Sequence, residues 1–132
     1  MRWLGIDPGS KRVGVAICDP NERVAMPLEI VVASAAFPAV RSIAKREDVG
    51  GIVVGLPLLM DGSEGSAARL ARRLGDRIRD RLGLPVEYED ERLTTVEAER
   101  EGHGEPRDDV AAALILQRFI DRRGESEPDA QP

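Results

Sequence analysis

The stretch Leu4-Gly5-Ile6-Asp7-Pro8-Gly9-Ser10-Lys11-Arg12-Val13-Gly14-Val15-Ala16-Ile17 constrains the chain more than any other. An apolar run ends on one acid, Asp7, and a second apolar run begins at Val13. The five residues between include Pro8 and Gly9. Pro8 cannot donate to a sheet ladder, so pairing has to stop there. Gly9 lets the backbone turn back or approach a ligand. The pattern reads as strand, tight turn, strand, with Asp7 where a buried strand opens into a loop. An ordinary turn also uses Asp and Gly, so this stretch alone leaves structural and chemical roles open.

The whole chain reads as β-β-β-α-β-α-β-α-α. Trp3–Asp7 and Val13–Asp19 are the first two strands, and residues 20–23 form a turn. A third strand runs from Val24 to Val32, weakened by Pro27. Phe37–Glu47 is a helix, with Pro38 at its first position and Val40, Ile43 and Ala44 as its stripe. Gly51–Gly55 is apolar without alternation, as in a strand covered on both faces. It leads into the apolar loop Leu56–Ser63. Glu64–Leu82 is a long helix with Ala67, Leu70, Ala71, Leu74, Ile78 and Leu82 inward. Its arginines are a solvated, ion-paired face or an edge turned to phosphate. Gly83-Leu84-Pro85 stops it. Val86–Asp90 is the last strand and runs into Glu91. A short helix from Thr94 or Thr95 to Glu101 and a breaker-rich loop around His103 precede the final helix, Val110–Ile120. His103 reads as an exposed bystander. The strand hairpin followed by α-β crossovers implies a mixed sheet flanked by helices.

Bulk properties narrow the function classes. With 24 acids against 19 bases, the net charge is -5, so nucleic acid is not gripped by overall charge. One cysteine, Cys18, excludes an internal disulfide and fits a reducing cytoplasm. No stretch reaches the roughly 20 apolar residues of a membrane helix. Residues 1–123 read as one domain, and residues 124–132 as a disordered acidic tail.

Three acidic points stand at element ends: Asp7, the pair Asp90 and Glu91, and the pair Asp108 and Asp109. Parallel strands would put Asp7 and Glu91 on one sheet edge, and a buried helix can bring Asp108 to it. Carboxylates held together need a cation or a proton. Oxygen donors select Mg²⁺ or Mn²⁺, which can activate water against a phosphodiester. Helix capping explains Asp108 equally well, and a solvated strand end explains Glu91.

Four stretches resemble the YqgF-like family of pre-16S ribosomal RNA nucleases and Holliday-junction-resolvase-like proteins. They are Gly5–Gly9 with Arg12–Ala16, then Val54–Pro57 with Asp61–Ser63, then Asp90–Thr95 with Ala98, and finally Asp108–Gln117. The resemblance spans residues 1–122. It implies a ribonuclease-H-like α/β domain, a mixed five-stranded sheet of order 3-2-1-4-5 flanked by helices. It also implies a metal-dependent nuclease of 5′-end maturation of pre-16S rRNA, using Mg²⁺ or Mn²⁺; the chain is expected in the cytoplasm, as a monomer or weak homodimer. The family's acids fall on Asp7, Glu91 and Asp108, and its phosphate-contacting candidates on Lys11, Arg12 and Arg92. Asp109 stands where the family usually has a small residue, which leaves two candidates for the third acid. Structured RNA is the implied substrate and branched DNA the alternative. From other classes, a nucleotide-binding ATPase and a non-catalytic nucleic-acid or transcription-complex module remain. The ATPase would need two related lobes, and 132 residues supply one.

Overall fold

In the computed structural model, residues 1–91 and 107–126 are described. Five strands, β1 (Trp3–Asp7), β2 (Arg12–Cys18), β3 (Ala25–Val32), β4 (Gly51–Leu56) and β5 (Val86–Asp90), form one sheet of order β3-β2-β1-β4-β5. The expected order 3-2-1-4-5 is thus borne out. β1–β2 and β2–β3 are antiparallel, whereas β1–β4 and β4–β5 are parallel. Pro27 lies in β3 without breaking it, because β3 is an edge strand and can lack a ladder donor.

The sheet's two faces differ in side-chain size. Leu4, Ile6, Val13, Val15, Ile52 and Val54 pack beneath α1 (Ala36–Arg46) and α2 (Ser66–Leu82). On the opposite face Trp3, Ala16, Cys18 and Val53 meet α3 (Asp108–Ser126). Glycines let α3 come close. A Cβ on Gly5 would stand 2.7 Å from Leu116 Cβ and 2.9 Å from the Ala112 carbonyl oxygen. The lone thiol, Cys18, is buried in this layer, and burial pushes its pKa up, away from reactive thiolate.

Several boundaries differ from the sequence expectation. A 3₁₀ turn, Ala33–Ala35, precedes α1, which starts at Ala36 and puts Pro38 third rather than first. Pro38 is still within the first turn, where its missing N–H has no helical acceptor. α2 begins at Ser66, because Glu64 stays outside and accepts hydrogen bonds from Arg72 at 2.8 Å. Its buried line runs through Ala68, Ala71, Gly75 and Ile78, while Ala67 is exposed. The fit of Tyr88 sets that phase. A Cβ on Gly75 would stand 2.3 Å from the Tyr88 hydroxyl, which donates to Asp76 at 2.7 Å. α2 ends where Gly83 takes φ 70°, as a left-handed cap. α3 begins at Asp108 and runs to Ser126, past the expected domain end at Arg123. The expected helix after Thr94, the loop around His103 and residues 127–132 lie outside the described residues. No helix among the described residues is long and apolar enough to cross a membrane.

Candidate active site

The parallel pairing of β1, β4 and β5 sets their C-terminal ends on one sheet edge. Ile6 is in register with Val54, and Leu56 with Asp90. Asp7 and Glu91 therefore leave the sheet on the same side. Both are buried, at 6% and 7% exposure, so their placement is structural and not that of solvated chain ends.

Asp7 pairs with Gly14 across the β1–β2 hairpin, and α3 begins over that pair. A Cβ on Gly14 would stand 1.9 Å from the Asp108 carbonyl oxygen and 2.2 Å from its carbon. The helix start rests directly on the strand backbone at Gly14. Gly9 closes the turn in a comparable way, since a Cβ there would meet the Arg12 carbonyl oxygen at 2.5 Å. Gly55 makes room for Glu91, whose Oε2 lies 2.9 Å from where a Cβ on Gly55 would be.

These constraints put Asp7, Glu91 and Asp108 in the lining of one cleft of about 390 Å³, with Pro8–Arg12, Pro57 and Ala67. Of the residues expected from sequence, Asp7, Glu91, Asp108, Lys11 and Arg12 meet here. Arg92 falls outside the described residues. Pro57 borders the cleft, whereas Gly55 and Leu56 lie in β4. Ala67, at the start of α2, is a lining residue that the sequence reading placed in the core.

The two adjacent acids of α3 part ways. Asp108 turns to the cleft, where Arg12 Nε donates to its Oδ2 at 2.9 Å. Asp109 is buried at 4% exposure and accepts from Arg107 Nε and Nη2 at 3.2 and 2.9 Å. Both carboxylates favour the positive end of the helix dipole, but only Asp108 lines the cleft.

The donor set is all carboxylate oxygen, which suits a hard divalent ion. Among the described residues, no three of His, Cys, Asp and Glu stand close enough to share one ion as they are. Arg12 is the cation paired with Asp108. Binding of an ion by Asp108 would therefore exchange that guanidinium for the ion. The exchange is cheap, because Arg12 is 68% exposed and exposed pairs contribute little.

Residues 1–122 match the model of a family described as "RuvX: Holliday junction resolvase". The resemblance carried by the four sequence motifs is borne out over the same span. A "Putative pre-16S rRNA nuclease" of Lactobacillus gasseri is 41% identical over 137 residues, covering 92% of this chain and 96% of that protein. One of Anaeromyxobacter sp. (strain Fw109-5) is 43% identical over 136 residues, covering 93% and 98%. Among solved structures, RuvC of T. thermophilus in complex with Holliday junction substrate superposes with a TM-score of 0.59 at 19% identity, covering 96% of this chain and 97% of that one. The fowlpox virus Holliday junction resolvase superposes at 0.51 and 12% identity, covering 92% and 99%. At these identities the two structures establish the shared fold.

Proposed function

The chain belongs to the RuvX family, described as Holliday junction resolvase, and we propose that it is a divalent-metal-dependent nuclease acting on structured RNA in the cytoplasm. The observation that carries this reading is the shared cleft, in which Asp7, Glu91 and Asp108 face Lys11 and Arg12. Maturation of the 5′ end of pre-16S rRNA is the specific role in this reading; the pre-16S rRNA part of it is supported by relatives above 40% identity that are described as pre-16S rRNA nucleases.

Asp7, Glu91 and Asp108 would hold the ion or ions. When bound, Mg²⁺ or Mn²⁺ would lower the pKa of a water so that it can lose a proton and attack phosphorus, and would supply charge to stabilise the leaving oxygen. The chain's own contribution is positioning. Buried Asp7 and Glu91 are fixed by the strand ends, and Asp108 by the helix resting on Gly14. Lys11 and Arg12 present positive charge to the phosphodiester backbone on the loop side. Once Arg12 leaves Asp108, its guanidinium is available to phosphate, where a bidentate pair is stronger than the exposed ion pair it replaces.

The test is side-by-side cleavage of precursor rRNA, poly-purine RNA and a four-way DNA junction with Mn²⁺ or Mg²⁺. Cleavage of the RNAs that stops in excess chelator is expected. Full activity in chelator overturns the metal mechanism. Cleavage confined to the junction overturns RNA as substrate and favours the second reading, a resolvase on branched DNA, which the family description supports.

Arg12→Ala separates binding from folding. Loss of one exposed ion pair should change stability by less than about 1 kcal/mol. Nucleic-acid affinity should fall, and the log–log salt slope should shrink by about 0.7–0.9 for one lost phosphate contact. Thermal melts and a salt titration of binding check the two halves. An unchanged slope counts against Arg12 as a phosphate contact.

A further inference from the structure

The acid cleft has a neighbour on the other side of the same loop. Pro8 and Gly9, which line the cleft, also border a separate pocket of about 440 Å³ floored by Val13, Leu70 and Leu74 and edged by Arg73 and Arg77. Its volume lies within the range of ligand pockets. The charges around it are one-sided. α1 and α2 carry nine basic side chains against two acids, in a chain whose net charge is -5.

Both acids are already engaged. Asp76 accepts from Tyr88 and Arg79, and Asp80 from Arg79. Arg72 is held by Glu64 at 2.7 Å. Arg73 and Arg77, which edge the pocket, have no carboxylate partner among the described residues. Arg77 Cζ lies over the Phe37 ring, 4.2 Å from its centroid, which holds the guanidinium at the pocket edge. An uncompensated pair of guanidiniums over an apolar floor suits a ligand with one flat apolar face and one anionic group. A nucleobase with its phosphate has both: the base can cover the apolar floor and the phosphate can take the guanidiniums.

We propose that this pocket seats an unpaired nucleotide of the RNA strand that lies in the acid cleft, its base on the Val13–Leu70–Leu74 floor and its phosphate on Arg73 and Arg77. The site rests on the nuclease reading above and extends it to the nucleotide next to the cleaved bond. It would confine cleavage to places where the strand is unpaired beside the scissile phosphate.

Binding of a single-stranded poly-purine RNA, in chelator and between 50 and 200 mM salt, tests the proposal. The double variant R73A/R77A should bind more weakly, with a salt slope smaller by about 0.7, which is one single-strand phosphate no longer neutralised. The parent's loss of affinity over that range is then about 2.6-fold greater than the variant's. R73K/R77K keeps charge without the planar fork that grips a phosphate bidentately, and should keep the slope while losing affinity. R79A removes an arginine already paired within α2 and should bind like the parent. Unchanged binding by R73A/R77A, or an equal loss in R79A, overturns the pocket. An equal loss on duplex RNA overturns the unpaired base, and equal behaviour of the same sequence as DNA overturns RNA as the occupant. A parent that binds no RNA overturns the nuclease reading along with the pocket. A parent that binds and cleaves RNA beside an unaffected R73A/R77A overturns the pocket alone. Both arginines are exposed, so matching thermal melts confirm that the variants fold.

Discussion

Gly14→Ala is expected to remove nearly all activity from a chain that still folds. The added methyl would stand 1.9 Å from the Asp108 carbonyl oxygen and 2.8 Å from the Asp109 nitrogen. These are backbone atoms at the start of a long helix, so no side-chain rotation relieves the overlap. α3 must lift or slide by about an ångström at its N-terminus, and Asp108 moves with it. Overpacking of this kind costs typically 1–3 kcal/mol. A displacement of about 1 Å at a reacting centre can cost on the order of 10²-fold in rate. The large effect is therefore on turnover, with a smaller one on the melting temperature. Circular dichroism melts and single-turnover cleavage of the same sample separate the two. Gly5→Ala is the control, since its Cβ would overlap Leu116 and Ala112 farther along α3. It should destabilise the fold while affecting turnover less. Equal activity of Gly14→Ala and parent would show that the position of Asp108 does not matter to the reaction.

Asp7→Asn should have a comparable effect on turnover by a different route. The substitution keeps shape and removes one charge from a residue that is 6% exposed. If Asp7 holds the ion, cleavage falls by at least on the order of 10²–10³, the scale of losing one organised electrostatic contact in an active site. RNA affinity measured in chelator should hold or improve slightly, because a negative charge has left the cleft. A second readout does not need turnover. Mg²⁺ or Mn²⁺ at ten times its Kd should stabilise the parent by about 1.4 kcal/mol through mass action, seen as a rise of several degrees in melting temperature. Asp7→Asn should gain clearly less. Glu91→Gln should follow the same pattern, because its carboxylate lines the same cleft. Equal metal-induced shifts in parent and Asp7→Asn would remove Asp7 from the ligand set.

Much of this molecule is legible in its residues. The run to Asp7, the Pro8-Gly9 break and the second run to Ile17 specify a hairpin, because strand pairing cannot continue through Pro8. Gly51–Leu56 has no polar position, and all six residues are buried beneath helices on both faces. The acids at strand ends mark one sheet edge once the strands are taken as parallel, and β1, β4 and β5 are. Even the close approach of α3 has a trace in the alternation of small Gly5, Gly14 and Ala16 with large Leu4, Ile6, Val13 and Val15.

Rotation and phase were not legible. Asp108 and Asp109 are neighbours of like chemistry, and periodicity cannot say which of them a helix turns toward a cleft. That choice follows from α3 resting on Gly14 and from Arg12, far away in sequence, meeting Asp108. The α2 stripe was similarly misplaced at Ala67, because the Tyr88 hydroxyl against Gly75 decides which line of the helix turns inward. Among six α2 arginines, composition cannot separate the paired Arg72 and Arg79 from Arg73 and Arg77 at the pocket. Local sequence determines which elements form and which of their residues are apolar. How each element is turned against its neighbours is set by close packing between residues distant in the chain, and the chemistry of the cleft depends on that turn.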